Sequence, residues 1–347
     1  MKKIVVIILP LFFSAFLWAQ KQQYKTAVIG FYNLENFYDT VDNPAINDNE
    51  FTPKGEKNYN STIYWKKVEH LATVISQMGA DINADGPALL GVAEIENDTV
   101  LNDLTHHALL KERNYSFVHY DSRDIRGVDV ALLYNPKYFK VLDSRKLFVR
   151  LPAGAKENIF TRDVLWVKGS LDGEIIHVFV NHWPSRLGGE ERSAPGRFAA
   201  AQVNKDFIDS LEKKDINAKI IVMGDLNDDP VSLSITTVLN ARGDMENIKP
   251  GGLYNPWVEM YKKGIGTLAY QDAWGLFDQI MITSGWLKKD QEGFFFFKQH
   301  IFNKQFMIEN IGKYRGYPMR TWDGNTYRGG YSDHFPTYLI MLKKSPK

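Results

Sequence analysis

Short apolar runs that end abruptly on an acid, an amide or a histidine recur along this chain. Residues 26–33 read as one such strand, closing on Asn33, and residues 88–93 form a buried-strand type of run that delivers Glu94. Between them Tyr64, Val68, Leu71, Ile75 and Met78 fall at helical spacing, and Gly79 ends that helix. The polar stretch 39–60 lacks the oxygen spacing and the glycine of a calcium loop, and reads as a solvated loop. A helix is expected over roughly 100–112. Strand-like runs then follow closely at 116–120, 128–134, 139–149, 164–171 and 175–180. Turn signals such as Asn135-Pro136 and Asp172-Gly173 separate them, as in antiparallel meanders. The spacing predicts helices over 197–213 and 231–241, and strands at 220–223, 277–283 and 335–342.

Strands outnumber helices, and no repeat or low-complexity linker divides the chain. No glycine-rich phosphate loop of the required spacing is present, which counts against a nucleotide-binding fold. An α+β fold in one domain over 24–343, two packed and mainly antiparallel sheets flanked by helices, accommodates these elements better than a doubly wound parallel sheet.

Composition changes this picture at two points. Met1-Lys2-Lys3 followed by the apolar residues 4–18 and Ala19-Gln20 reads as a signal peptide over 1–19, with an uncleaved anchor as the alternative. The mature chain is then secreted or periplasmic, with no membrane span, and is expected to be a monomer. There is no cysteine, which removes disulfides, thiolate metal sites and cysteine nucleophiles together. Basic and acidic side chains number 42 and 41, so losing Lys2 and Lys3 leaves 40 against 41. No global basic field points to nucleic acid; any attraction to polyanions must be local.

The chemistry sits at the strand ends: Asn33, Glu94, Asp225 with Asn227, Asp278 and Asp333, with Asp129 at a strand start. His182 and His334 share that placement. Oxygen ligands without cysteine suit a hard ion, Mg²⁺, with Mn²⁺ or Ca²⁺ as alternatives. Any one of these carboxylates alone is more often a loop cap or a solvated charge; their repetition argues for a site.

Taken in order, the motifs around Asn33 (Phe31-Tyr32-Asn33-Leu34-Glu35-Asn36-Phe37), Glu94 (Val92-Ala93-Glu94-Ile95-Glu96) and Asn181-His182-Trp183-Pro184-Ser185-Arg186 resemble the endonuclease/exonuclease/phosphatase superfamily. Gly224-Asp225-Leu226-Asn227, Phe277-Asp278-Gln279-Ile280 and Ser332-Asp333-His334 continue the pattern in the same order. The resemblance, nearest to deoxyribonuclease I-like members, implies a four-layered α/β/β/α sandwich and metal-dependent hydrolysis of phosphoric esters by direct attack of water.

It also implies roles. Glu94, Asn33 and Asp333 would hold the metal. His334 would be the general base or a charged stabiliser, oriented by Asp278, while Asp225 and Asn227 position water and phosphoryl oxygens. His182 marks the branch whose members carry a second histidine, absent from apurinic-site endonucleases; it would act as electrophile or as general acid towards the leaving oxygen, and Asp129 is the expected carboxylate behind it. Asn181, Arg126, Arg162 and Arg186 are candidate substrate contacts, with internal ion pairs as the alternative for the arginines. Trp183 would stack on a base or close the core. Phe294-Phe295-Phe296-Phe297 reads as a strand buried on both faces or a lipid-contacting loop. A DNA or RNA nuclease is the expected function. The alternatives are a phosphomonoesterase or a phospholipid hydrolase of the sphingomyelinase or inositol-phosphatase kind, and an inactive binding protein.

Overall fold

The structure, a computed structural model, describes residues 22–152, 160–289 and 292–345; the signal peptide expected over 1–19 lies outside them. The first half of the chain forms β1 (Tyr24–Phe37), α1 (Ser61–Gln77), β2 (Leu89–Ile95), α2 (Asp98–Thr105), β3 (Ser116–His119) and β4 (Asp129–Tyr134). There follow β5 (Phe139–Leu147), β6 (Val164–Leu171), β7 (Glu174–His182), α3 (Glu190–Glu212) and β8 (Lys219–Asp225). Next come β9 (Leu253–Tyr254), α4 (Val258–Lys262), the hairpin β10 (Leu268–Tyr270) and β11 (Ala273–Gly275), and β12 (Asp278–Thr283). The last elements are β13 (Phe295–Ile301), the small hairpin β14 (Trp322–Asp323) and β15 (Thr326–Tyr327), and β16 (Thr337–Lys344).

Two six-stranded sheets result, ordered β13-β16-β1-β2-β4-β3 and β5-β6-β7-β8-β12-β9. Every pairing is antiparallel except one near the middle of each sheet, β1 with β2 and β7 with β8. A parallel pair needs a crossover, and α1 and α3 provide the two. In each sheet two neighbouring strands therefore end at the same edge, where the functional residues collect.

Alternation decides which layer each side chain joins. On β1, Val28, Tyr32 and Leu34 pack with Val68, Leu71 and Ile75 of α1, while Ala27, Ile29 and Phe31 face the second sheet. On β8, Ile221 and Met223 share that inter-sheet core, while Ile220 and Val222 pack with Ala200, Ala201 and Ile208 of α3. Helix, sheet, sheet and helix stack as four layers, as expected. The sheets approach closely: a Cβ on Gly91 would lie 2.5 Å from Met223 Sδ. Among the described residues no helix is long and apolar enough to cross a membrane.

Three elements depart from the expected pattern. The helix expected over 231–241 is a single π-type turn, Ser234–Val238. Ser234 and Thr236 hydroxyls bond Asp228 and the Ser232 carbonyl, local bonds that compete with helix propagation. The helix expected from Val100 stops at Thr105. α3 starts at Glu190, seven residues earlier than expected and through Pro195; Arg197 braces its first turn by donating to the Glu190 carbonyl and Ser193 Oγ. Phe294, Phe295 and Phe296 are buried, but β13 begins at Phe295, so the buried-strand reading holds for Phe295 and Phe296. Phe297 is exposed at a register shift between Phe296 and Lys298.

Candidate active site

Strand register assembles the site. β7 and β8 end side by side with His182 opposite Asp225, and antiparallel β12 begins with Asp278 opposite the same Asp225. Gly224 permits the close approach of β8 to β7, since a Cβ there would lie 2.3 Å from the Asn181 carbonyl oxygen. In the other sheet, β1 and β2 carry Asn33 and Glu94 to their ends, each beside a register shift. Ser332 Oγ donates to the Asn33 carbonyl at 2.7 Å and accepts from the His334 amide at 3.1 Å, docking the approach to β16 onto β1. Glu35, Asn36, Glu94 and Asn227 all adopt left-handed backbone angles, φ 50, 48, 61 and 48°. Such strain in non-glycine residues gathers where function over-determines the backbone.

At the centre, His334 Nδ1 is 2.7 Å from Asp278 Oδ2. His334 Nε2 lies 3.8 Å from Asp225 Oδ2, and His182 Nε2 lies 3.7 Å from that same oxygen. Two buried imidazoles thus converge on one carboxylate. Asp225 is itself held by Asn33 Nδ2 at 3.0 Å and by the Asn227 amide at 3.0 Å. Glu94 Oε1 stands 3.7 Å from His182 Nε2, and its Oε2 accepts from the Asn36 amide at 2.8 Å. Asp333 pairs with Arg320 at 2.9 Å.

The electrostatics separate the histidines. Burial works against a charged His334, but Asp278 and then Asp225 outweigh it and hold its pKa well above the usual histidine range. Burial, reinforced by Arg162 and Arg126, holds the His182 pKa well below that range. Burial, with Asp278 adding, pushes Asp225 up to about 6 against the pull of His334. For Asp333 burial raises the pKa, yet His334 and Arg320 prevail and the carboxyl lies below its ordinary value.

The structure therefore brings together His334, Asp278, Asp225, His182, Glu94, Asn33 and Asp333. Other expectations need correction. Asp129 does not back His182: its Oδ1 accepts from the Ser122 amide and its Oδ2 faces His119 Nε2 at 3.3 Å. Among the described residues His182 has only Glu94 and Asp225 as carboxylate neighbours, and its Nδ1 is buried without a partner. Arg162 is not free for substrate, because it bonds Asp124 and the carbonyls of His182 and Trp183 in the interior. Asn181 is likewise enclosed, donating to the Met223 carbonyl and accepting from Trp183 and Asn204. Trp183 is buried and closes the core beneath the loop. Arg186 is committed to Asp228, Asp229 and Glu190. Asn227 donates its side chain to the Trp183 carbonyl and so positions Asp225 through its backbone. Of the arginine candidates, Arg126 keeps an exposed side chain beside the site, 3.8 Å from Glu94 and bonded to Asn36.

Sequence reasoning passed over Glu35, Lys67 and Arg320. Glu35 accepts from the Thr321 and Trp322 amides, and Lys67 donates to Thr321 Oγ1 and the Tyr331 carbonyl. This buried pair, 3.8 Å apart, clamps both ends of the segment that carries Arg320 and Asp333 to the site. Burial, then Asp333, pushes Glu35 up to about 7. A signal existed, since Lys67 falls four residues before Leu71 on the apolar stripe of its helix.

The donors fit a hard divalent ion. Asp225, Asp278 and His334 offer ligand atoms within 4.8 Å of one another, and Asp278 Oδ1 is buried with no hydrogen-bond partner. Asp278 and His334 are, however, already bonded to each other, so the pair reads as a proton-handling dyad. Glu94 and Asp333 would hold the ion. Asn33, expected among its ligands, has its Oδ1 accepting from the Glu35 amide and its Nδ2 on Asp225, so it orients that carboxylate.

A sequence profile of the Endonuclease/Exonuclease/phosphatase family matches residues 28–344. No curated protein sequence matches the chain. Among solved structures, an endonuclease/exonuclease/phosphatase family protein from Bacteroides thetaiotaomicron superposes with TM-score 0.57 at 14% identity, covering 93% of this chain and 100% of that one. A mannosyl-6-phosphatase from B. thetaiotaomicron VPI-5482 gives 0.56 at 14% identity, covering 91% and 99%. D. rerio TDP2 complexed with single strand DNA product gives 0.53 at 14% identity, covering 91% and 98%. At these identities the likeness establishes the fold.

Proposed function

The chain belongs to the endonuclease/exonuclease/phosphatase family of metal-dependent phosphoester hydrolases, and on that premise we propose that it cleaves phosphate esters by direct attack of water between His182 and His334. The observation that carries this reading is the pair of buried imidazole Nε2 atoms at 3.7 and 3.8 Å from one oxygen of Asp225. Glu94 and Asp333 would hold a divalent ion, Mg²⁺ with Mn²⁺ or Ca²⁺ as substitutes, which when bound would supply positive charge to the phosphoryl oxygens. Asp278 favours the charged form of His334, which presents Nε2–H to the leaving oxygen and protonates it as the P–O bond breaks. Among the described residues no carboxylate is hydrogen-bonded to His182, which stays neutral and takes the proton of the attacking water as its oxygen bonds to phosphorus. Arg320 and Arg126 flank the phosphate.

A nucleic-acid chain is one substrate reading, supported by the exposed Arg126 beside Glu94, where a flanking phosphate would lie. A small phosphate ester is the other, supported by the cleft described below. The similar structures include a mannosyl-6-phosphatase and a protein bound to a DNA product, so the fold accommodates both kinds of ligand. The protein is proposed to act as an exported monomer after cleavage near Ala19; N-terminal sequencing of the mature product and light scattering check both statements.

The deciding experiment is a metal-by-substrate screen with plasmid DNA, RNA, bis-p-nitrophenyl phosphate, sphingomyelin and phosphate monoesters. Turnover is expected to disappear with EDTA, return with Mg²⁺ or Mn²⁺, and be lost in His334→Ala and His182→Ala. Intact substrates under every metal would overturn the reading.

A further inference from the structure

Next to the phosphate site opens a cleft of about 1370 Å³ whose lining includes Asp333 and Arg320. Its walls are the first turns of α3 and the β10–β11 hairpin. A phosphate group needs a small fraction of that space, which exceeds the ~300–1,000 Å³ of a typical small-molecule site. We propose that this cleft binds the organic part of the ester, a neutral ring-bearing alcohol, and that the enzyme recognises one phosphate instead of a run of them. The inference rests on the phosphoester reading and deepens it.

The wall chemistry comes first. Tyr261, Tyr270, Trp274 and Phe277 all line the cleft. Tyr270 leaves 73% of its surface exposed, and Leu233 and Val231 leave 64% and 44% on the same lining. Flat aromatic faces and apolar surface at an active-site mouth suit the face of a ring, whether a sugar or a nucleoside.

Charge in this cleft disfavours a polyanion. Four arginines line the cleft, against five carboxylates. Arg186 is neutralised by Asp228 at 3.3 Å, Asp229 at 3.0 Å and Glu190 at 3.0 Å, and it also stacks over Phe277. Arg197 is bound to Asp228 at 2.7 Å, and Arg320 to Asp333 at 2.9 Å. Only Arg192 has no carboxylate within 4.0 Å among the described residues. Tracking a nucleic-acid backbone takes several unpaired cations in a row, and one does not make such a track. Exposed Glu191 on the rim repels a second phosphate and accepts hydrogen bonds from hydroxyl groups.

The test compares kcat and KM of the Mn²⁺-loaded enzyme on glycerol phosphate, a hexose 6-phosphate, a nucleoside 5′-monophosphate, a nucleoside 3′,5′-bisphosphate and a short oligonucleotide. The ring-bearing monophosphates are expected to show kcat/KM roughly tenfold above glycerol phosphate, chiefly through KM. Tyr270→Ala should erase that advantage, bringing kcat/KM of the ring-bearing esters down to that of glycerol phosphate. The relative rates of the hexose and nucleoside esters identify which ring is preferred. Glycerol phosphate turned over as well as the ring-bearing esters, with Tyr270→Ala neutral, overturns the cleft assignment but not the phosphoester reading. So does an oligonucleotide preferred over the monophosphates with a KM that rises steeply between 50 and 200 mM salt, on the order of 10³-fold. If no ester is cleaved at all, the catalytic reading fails, and calorimetry still decides the cleft. Ring-bearing monophosphates should bind the Mn²⁺-loaded protein roughly tenfold more tightly than glycerol phosphate, and equal affinities would overturn the assignment.

Discussion

Asp278 and Asp129 each open a strand, and each lies within reach of an imidazole, yet they have different consequences. Asp278 is fully buried, 2.7 Å from His334, whose other nitrogen faces the reaction centre. Asp278→Asn removes the negative charge that favours the imidazolium, and kcat is expected to fall by about 10²–10⁴-fold, with a lower melting temperature because a buried ion pair is broken. Steady-state kinetics on the best substrate of the screen, with calorimetric melting alongside, checks this; a loss below tenfold would remove the dyad from the mechanism. Asp129 faces His119 at 3.3 Å and caps the Ser122 amide. Asp129→Asn should therefore leave kcat within about twofold and act on stability, by roughly 1 kcal/mol for the weakened contacts. Two aspartates with the same local sequence setting differ because their neighbours come from different strands.

At the scale of elements, β7 shows how one strand serves two ends. Its C-terminal end delivers His182, while His177 near its start stacks on Trp166 at 5.7 Å with its Nδ1 buried and unpartnered. Burial, with Lys168 adding, pushes His177 down to about 4 from the ordinary 6.5. The unfolded chain takes up this proton near pH 6.5, whereas the folded protein resists it until about pH 4. Stability present above pH 6.5 is thus lost progressively as pH falls to 4 and is level below, by at most about 3 kcal/mol. His177→Phe should flatten this part of the profile: its stability relative to the parent rises between pH 7.5 and pH 4.5, read from urea midpoints. A constant difference across that range would show that the imidazole is not the source. The strands were the readily legible elements, because a period of two leaves little choice of face. The helix expected over 231–241 was not, because serine and threonine side chains took their bonds locally.

For the whole molecule, two sheets with one parallel pair each bring seven functional side chains to a single edge, among them six acids or histidines within a few ångströms. Acids gathered in this way repel one another until a cation joins them. Saturating Mn²⁺ is expected to raise the melting temperature; at about 100 times Kd the linkage amounts to ~2.7 kcal/mol. EDTA should reverse the rise and Glu94→Gln should abolish most of it, as scanning calorimetry would show; an unchanged transition in the parent protein would remove the ion from the site. The sequence by itself determined the α+β sandwich, the strand ends on which Asn33, Glu94, His182, Asp225, Asp278 and His334 stand, and the absence of any thiol chemistry. Periodicity and residue type suffice for that, since they act within a few residues of the chain. Which histidine met which carboxylate was decided only by the tertiary structure, through the pairing of β8 with both β7 and β12. The same holds for Arg162, Asn181 and Arg186, whose side chains found partners 20 or more residues away and so left the substrate side. Hydrogen bonds between distant segments depend on which strands become neighbours, and no local pattern carries that information.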